Sequence, residues 1–191
     1  MKNVYIIHGW DGSPEEPMLQ WLKLSLEDKG INVSVPAMPN AEAPEVNAWI
    51  GKIKEIVSPN ENTILVGHSI GCQAILRYLE TIDEDIKITG IVLIAPSMKL
   101  DEQTLKEEGE EVMKVAEPWM DNPIDFKKVK SHIGKAIAIF SDNDPYVSLE
   151  QKDIFEDRLG ADIVIEHNKG HFDPDSNVRE LFSALDAILS L

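Results

Sequence analysis

Cysteine is nearly absent from this sequence. Among 191 residues only Cys72 carries a thiol, so no disulfide can close within the chain, which fits a reducing compartment. Basic runs are also missing. Lys and Arg number 18 against 34 Asp and Glu, giving a formal net charge of −16. Nucleic acid and anionic membrane both require a positive patch, so neither is expected as a partner. The densest basic string, Lys127-Lys128-Val129-Lys130, reads as one turn of a helix. No apolar window approaches the roughly 18 residues of a membrane span. Residues Met1 to His8 enter a strand at once and lack the apolar region and cleavage site of a secretion signal. These absences together predict a cytoplasmic protein. Neither a Walker A string nor a G-x-G-x-x-G loop occurs, so a phosphate-cradling nucleotide site is not expected. There is no internal repeat and no low-complexity linker, which predicts a single domain over 1–191.

Apolar residues make up 43% and charged residues 27%, ordinary globular usage for a chain long enough to bury a full core. The stretch that organises the rest is Ile64 to Cys72. It reads as a buried strand, a sharp turn and a helix, and its centre, Gly67-His68-Ser69-Ile70-Gly71, fits G-x-S-x-G. In a nucleophile elbow the serine sits on a strained strand-to-helix turn that lifts its hydroxyl above the sheet. Glycines two residues either side allow strand and helix to approach closely.

Strands are predicted at 4–7, 31–35, 63–67, 89–95, 135–140 and 162–166. Helices are predicted at about 17–29, 48–57, 70–82, 123–133, 148–159 and 176–189. Six alternations of strand and helix predict an α/β fold: a three-layer sandwich around a mostly parallel sheet of about six strands. Chemistry in such sheets gathers at the carboxyl ends of the strands.

Those ends hold what a serine nucleophile needs. A hydroxyl is activated by an adjacent base, and the base by an orienting acid. Ser141-Asp142-Asn143-Asp144-Pro145 follows the fifth strand and Asn168-Lys169-Gly170-His171-Phe172 the sixth, giving the order Ser, Asp, His. Asp144 is taken as the acid ahead of Asp142, and His171 as the base ahead of His167, which is read as structural. His167 and His171 have an i, i+4 spacing, but Gly170 and the loop spoil the helical face a metal site would use, so no metal and no cofactor are expected. Two backbone N–H groups should receive the oxyanion: that of Ile70, following the nucleophile, and that of Trp10, in the His8-Gly9-Trp10 loop. Cys72, one turn into the elbow helix, is read as packed.

His8-Gly9, the elbow, Ser141 to Pro145 and Gly170-His171-Phe172 resemble the α/β-hydrolase superfamily. The short chain is similar to its compact branch, the retinoblastoma-binding protein 9 (serine hydrolase) family. The resemblance covers essentially the whole chain. It implies a serine hydrolase of carboxylesterase type with Ser69, Asp144 and His171 as triad. The acid motif departs from the usual G-x-x-D-x-x-x-P, with Ser141 and Ser148 in place of Gly and Pro. The L-x-C-x-E string behind that family's name is absent, since Ile70 and Ala74 flank Cys72, so no partner binding of that kind is implied.

Residues 97–123 break the strand–helix rhythm. They hold Met98, Met113, Met120, Trp119 and an acidic cluster at Glu107, Glu108, Glu110 and Glu111 that reads as a solvated face. The segment is expected to form a short cap over the site. His8, His68, Met98 and Trp119 are the candidate pocket residues. A short cap favours a small or medium acyl ester, thioester or amide as the small-molecule substrate. A non-catalytic binding protein on the same scaffold, or an acyltransferase, are the alternatives.

Overall fold

The computed structural model describes residues 1–99 and 109–191. Six strands form one sheet: β1 (Asn3–Ile7), β2 (Asn32–Ser34), β3 (Thr63–His68), β4 (Ile88–Ile94), β5 (Ile133–Ser141) and β6 (Asp162–Glu166). Their order is β2-β1-β3-β4-β5-β6 and every pairing is parallel. Seven α-helices lie among the described residues: α1 (Pro17–Glu27), α2 (Val46–Ile56), α3 (Ile70–Leu79), α4 (Glu110–Met120), α5 (Phe126–His132), α6 (Lys152–Leu159) and α7 (Phe182–Ser190).

Side chains of a strand alternate between faces, and the core divides accordingly. Val4, Ile6, Ile64, Val66, Val92, Ile94, Ile137 and Ile139 point to the face covered by Met18, Leu19 and Leu22 of α1 and Ala184, Leu185 and Ile188 of α7. Ile7, Leu65, Ile91, Leu93, Ala138 and Phe140 point to the opposite face, covered by Trp49 and Ile53 of α2, Ile75 and Leu79 of α3, Phe126 of α5 and Phe155 of α6. A sheet buried on both faces explains why its strands read as continuous apolar runs. The expected three-layer α/β architecture is therefore present, with all six strands parallel.

Several element ends differ from the sequence reading. The last helix starts at Phe182, not Ser176, because the Ser176 hydroxyl is engaged in the turn beginning at Asp173. The helix expected from 123 begins at Phe126, where the Asp125 carboxylate accepts from the Lys128 amide at 3.0 Å. The segment expected as a short cap, for which no helix is predicted, contains α4, with Pro118 in its last turn. Glu110 and Glu111 stand in the first turn of α4, where the helix dipole favours negative charge. The rest of that segment, 100–108, with Glu107 and Glu108, lies outside the described residues.

The order of strands positions the site. The chain goes from β1 to β2 on one side, then crosses to β3 on the other, so the crevice between β1 and β3 is a switch point, the usual place for a ligand in such sheets. Ile7 pairs with Gly67, which brings His8-Gly9-Trp10 beside Ser69. No helix among the described residues is long and apolar enough to cross a membrane.

Candidate active site

Ser69 sits between β3 and α3 with φ 53° and ψ −123°, a conformation costing a non-glycine residue about 1–3 kcal/mol unless its surroundings impose it. They do so here. The Ser69 amide donates to the Ile94 carbonyl at 2.9 Å, and its carbonyl accepts from the Cys72 amide at 2.9 Å. A β-carbon at Gly67 would lie 2.7 Å from Cys72 Cα, and one at Gly71 2.5 Å from the Ile7 carbonyl oxygen. Both glycines are therefore required for α3 to pass this close to β3 and β1.

His171 Nε2 lies 2.8 Å from Ser69 Oγ, and its Nδ1 lies 2.8 Å from Asp144 Oδ2. A carboxylate oxygen accepts, so Nδ1 carries the hydrogen and the Nε2 lone pair faces the serine hydroxyl. Asp144 is held in turn. Its Oδ1 accepts from the amides of Tyr146 at 2.8 Å and Val147 at 3.0 Å. The Tyr146 ring packs edge-on against His171, with centroids 5.0 Å apart. The His171 amide donates to Ser176 Oγ at 3.1 Å, and the fully buried Phe172 ties the loop into the core.

His68 supports the same loop. It is buried, and its Nε2 donates to the His171 carbonyl at 2.8 Å. Its Nδ1 has no hydrogen-bond partner among the described residues and lies 4.0 Å from Glu16 Oε2. Burial, followed by the positive charge His171 can carry, pushes the His68 pKa down to about 4. Burial also raises the pKa of Glu16, whose Oε1 accepts from the Ser13 amide.

Two cavities meet at Ser69. A small one of about 20 Å³ is bordered by Trp10, Ile70, Gln73, Ser97, Ala116, Trp119 and Met120. An open cleft of about 850 Å³ is lined by His68, Tyr146 and His171 and by five acids: Asp11, Glu16, Glu42, Asp173 and Asp175. No Lys or Arg appears among its described lining residues. Ile70 is the first residue of α3, and the amides of a helix's first turn have no intrahelical acceptor. Ile70 borders the small cavity and Trp10 borders both it and the cleft, so the two residues stand beside Ser69 where the cavities meet.

The structure thus brings Ser69, Asp144 and His171 together, with Trp10, Ile70, His68 and Trp119 around them. Two pocket candidates are elsewhere. His8 lines neither cavity. Its Nδ1 donates to the Gly9 carbonyl, its Nε2 accepts from the Met38 amide, and its ring packs against Trp49. Met98 lines a separate groove, where Gln151 Oε1 holds its amide at 2.8 Å. Asp142 pairs with His167 at 2.6 Å in an exposed contact away from Ser69. Cys72 is buried, and burial pushes its thiol pKa up. Among the described residues no group of three or more His, Cys, Asp or Glu is placed to hold a metal ion.

The pattern of the serine hydrolase family matches residues 4–188. The chain belongs to the serine hydrolase family. Another of its relatives is YdeN of Bacillus subtilis, 28% identical over 191 residues, covering 99% of this chain and 95% of that one. The crystal structure of the ydeN gene product superposes with a TM-score of 0.88 over 100% of this chain and 98% of that chain. Serine hydrolase RBBP9 of Rattus norvegicus is 24% identical over 184 residues, covering 96% and 88% of the two chains. A carboxylesterase structure from Nitrososphaera gargenis, 14% identical with a TM-score of 0.74 over 99% of this chain and 90% of that one, shares the fold. This serine hydrolase is thus an α/β-hydrolase in its architecture. Several residues of its site were not singled out from sequence. Gln73 and Arg77 carried a signal, two polar side chains at i and i+4 inside an apolar helix stripe; Glu16 and Asp173 carried none.

Proposed function

We propose that this hydrolase is a carboxylesterase acting on a small acyl ester, with Ser69 as nucleophile, His171 as general base and then acid, and Asp144 as the orienting acid. The observation that carries this reading is the continuous line Asp144 Oδ2, His171 Nδ1, His171 Nε2, Ser69 Oγ, with 2.8 Å at each hydrogen bond.

Ser69 Oγ attacks the substrate carbonyl carbon while its proton passes to His171 Nε2. Asp144 stabilises the imidazolium and fixes its orientation. The oxyanion is received by the N–H groups of Ile70 and Trp10; one such donor is worth about 2.7–4 kcal/mol in the transition state. His171 then returns the proton to the leaving oxygen as the C–O bond breaks, leaving the acyl group on Ser69. Water repeats the sequence: His171 takes its proton, the oxygen attacks the acyl carbon, and the acid departs as Ser69 recovers its hydrogen. In this reading α4 is part of the short cap over the nucleophile.

Turnover of p-nitrophenyl acetate by the wild-type protein and by Ser69→Ala tests the proposal. Hydrolysis that is abolished in the variant supports it; equal hydrolysis by both proteins overturns it.

A further inference from the structure

The two cavities at Ser69 divide a substrate into unequal halves. A general acid must lie within hydrogen-bond reach of the leaving atom. His171 lines the 850 Å³ cleft and is not among the residues of the 20 Å³ cavity. The leaving alcohol therefore occupies the cleft, and the carbon chain of the acyl group enters the small cavity. On the same measure of volume a single water needs about 10–15 Å³, so about 20 Å³ receives one group of methyl size.

The Trp119 wall of this cavity is fixed. Trp119 is 1% exposed; its Nε1 donates to the Pro44 carbonyl at 2.8 Å and its ring meets Trp49 edge-on at 5.9 Å. Arg77 Nη2 donates to the Trp119 carbonyl at 2.7 Å, to the Asn122 carbonyl at 2.8 Å and to Gln73 Oε1 at 3.2 Å. Gln73 Nε2 in turn donates to the Ser97 carbonyl at 3.0 Å. The C-terminal end of α4 is thereby fastened to α3, and the cavity has little freedom to widen on the Trp119 side. Among the described residues, Met120 is the one that borders both this cavity and the 730 Å³ groove lined by Met98, Ile124, Phe126 and Ile154.

We infer that the acyl half of the substrate is an acetyl group and that Met120 is the partition that sets this limit. The inference rests on Ser69 being the nucleophile, and it goes beyond that reading by naming the acyl group and a residue that selects it. An unbranched flexible side chain at this position closes off space that a longer acyl chain would otherwise reach.

The test is kcat/KM for p-nitrophenyl acetate, butyrate and octanoate with wild type, Met120→Ala and Ser69→Ala. Each methylene that a pocket rejects is worth about 10–200-fold. Wild type should prefer acetate over butyrate by at least about 10-fold, and Met120→Ala should shift the octanoate-to-acetate ratio upward by about 10-fold or more. The wild-type series is informative whether or not the variant folds. Ser69-dependent turnover of butyrate or octanoate as fast as acetate overturns the acetyl limit and leaves the nucleophile standing. An unchanged ratio in folded Met120→Ala overturns the role of Met120. Absence of Ser69-dependent turnover on all three esters overturns the nucleophile and the acyl limit together.

Discussion

His68 is tied to His171 through the backbone: its Nε2 donates to the His171 carbonyl at 2.8 Å, across 103 residues of sequence. A ring that must donate there, in a site that disfavours charge, stays neutral well below the ordinary histidine range. Its pKa is pushed down from 6.5 to about 4 by burial first and by His171 second, against the opposing pull of the His171 carbonyl, Asp173 and Asp144. Between these values the unfolded chain binds a proton that the native chain refuses, so stability falls as pH drops from 6.5 to about 4. The loss reaches about 3 kcal/mol once pH lies below both values. His68→Gln retains an N–H donor and removes the titration. Urea midpoints of the variant should depend less steeply on pH across this window; an identical slope in both proteins contradicts the assignment.

Asp142 and Asp144 are two residues apart and serve different histidines. Asp144 lies against His171 with its side chain 2% exposed, whereas Asp142 meets an exposed His167. Asp144→Asn should lower kcat by about 10⁴-fold, since the amide no longer selects the required tautomer of the imidazole. Asp142→Asn should leave kcat and Tm close to wild type. Steady-state kinetics of the two variants decide the matter, and equal losses would remove the distinction.

Arg77 is buried on α3 and holds two backbone carbonyls at and beyond the end of α4. Arg77→Met leaves those carbonyls without their charged donor, at a cost of at least about 2 kcal/mol. Thermal unfolding should show a lower Tm. A Tm equal to wild type would mean that α4 is held by packing alone.

The cleft beside Ser69 carries five carboxylates in a chain of net charge −16. A negatively charged leaving group meets repulsion there that a neutral one does not. Phenyl acetate should have a higher kcat/KM than its 4-carboxylate analogue, and the gap should narrow as added salt screens the field. Equal rates at low salt would show that the acids lie too far from the bound alcohol to act on it.

Much of this was legible in the sequence because it depends on local order. Continuous apolar runs at 63–67 and 89–95 predict strands buried on both faces, and Gly67 and Gly71 predict a tight elbow. The assignment of Asp144 and His171 to one another followed from their places after the fifth and sixth strands, and the two residues do meet. What escaped depends on contacts between distant segments. Helix α4 was obscured by Pro118, which stands inside it although a proline beyond the first turn removes a helical hydrogen bond. Ser176 looks like a helix cap, but its hydroxyl is used by Asp173 and the His171 amide. His8 looked like a pocket residue because it opens the β1 loop; it is turned into the core by the Met38 amide and Trp49. Met98 was misplaced because nothing near it in sequence announces Gln151.

The central claim is that Ser69 is the nucleophile, activated by His171. A methyl fluorophosphonate, small enough for the acyl cavity, should attach to the native protein at Ser69 and nowhere else, as read by mass spectrometry of the peptide spanning the elbow. Labelling should be lost in Ser69→Ala and sharply slowed in His171→Ala. Native protein that leaves Ser69 unmodified, or a label carried on another residue, contradicts the account.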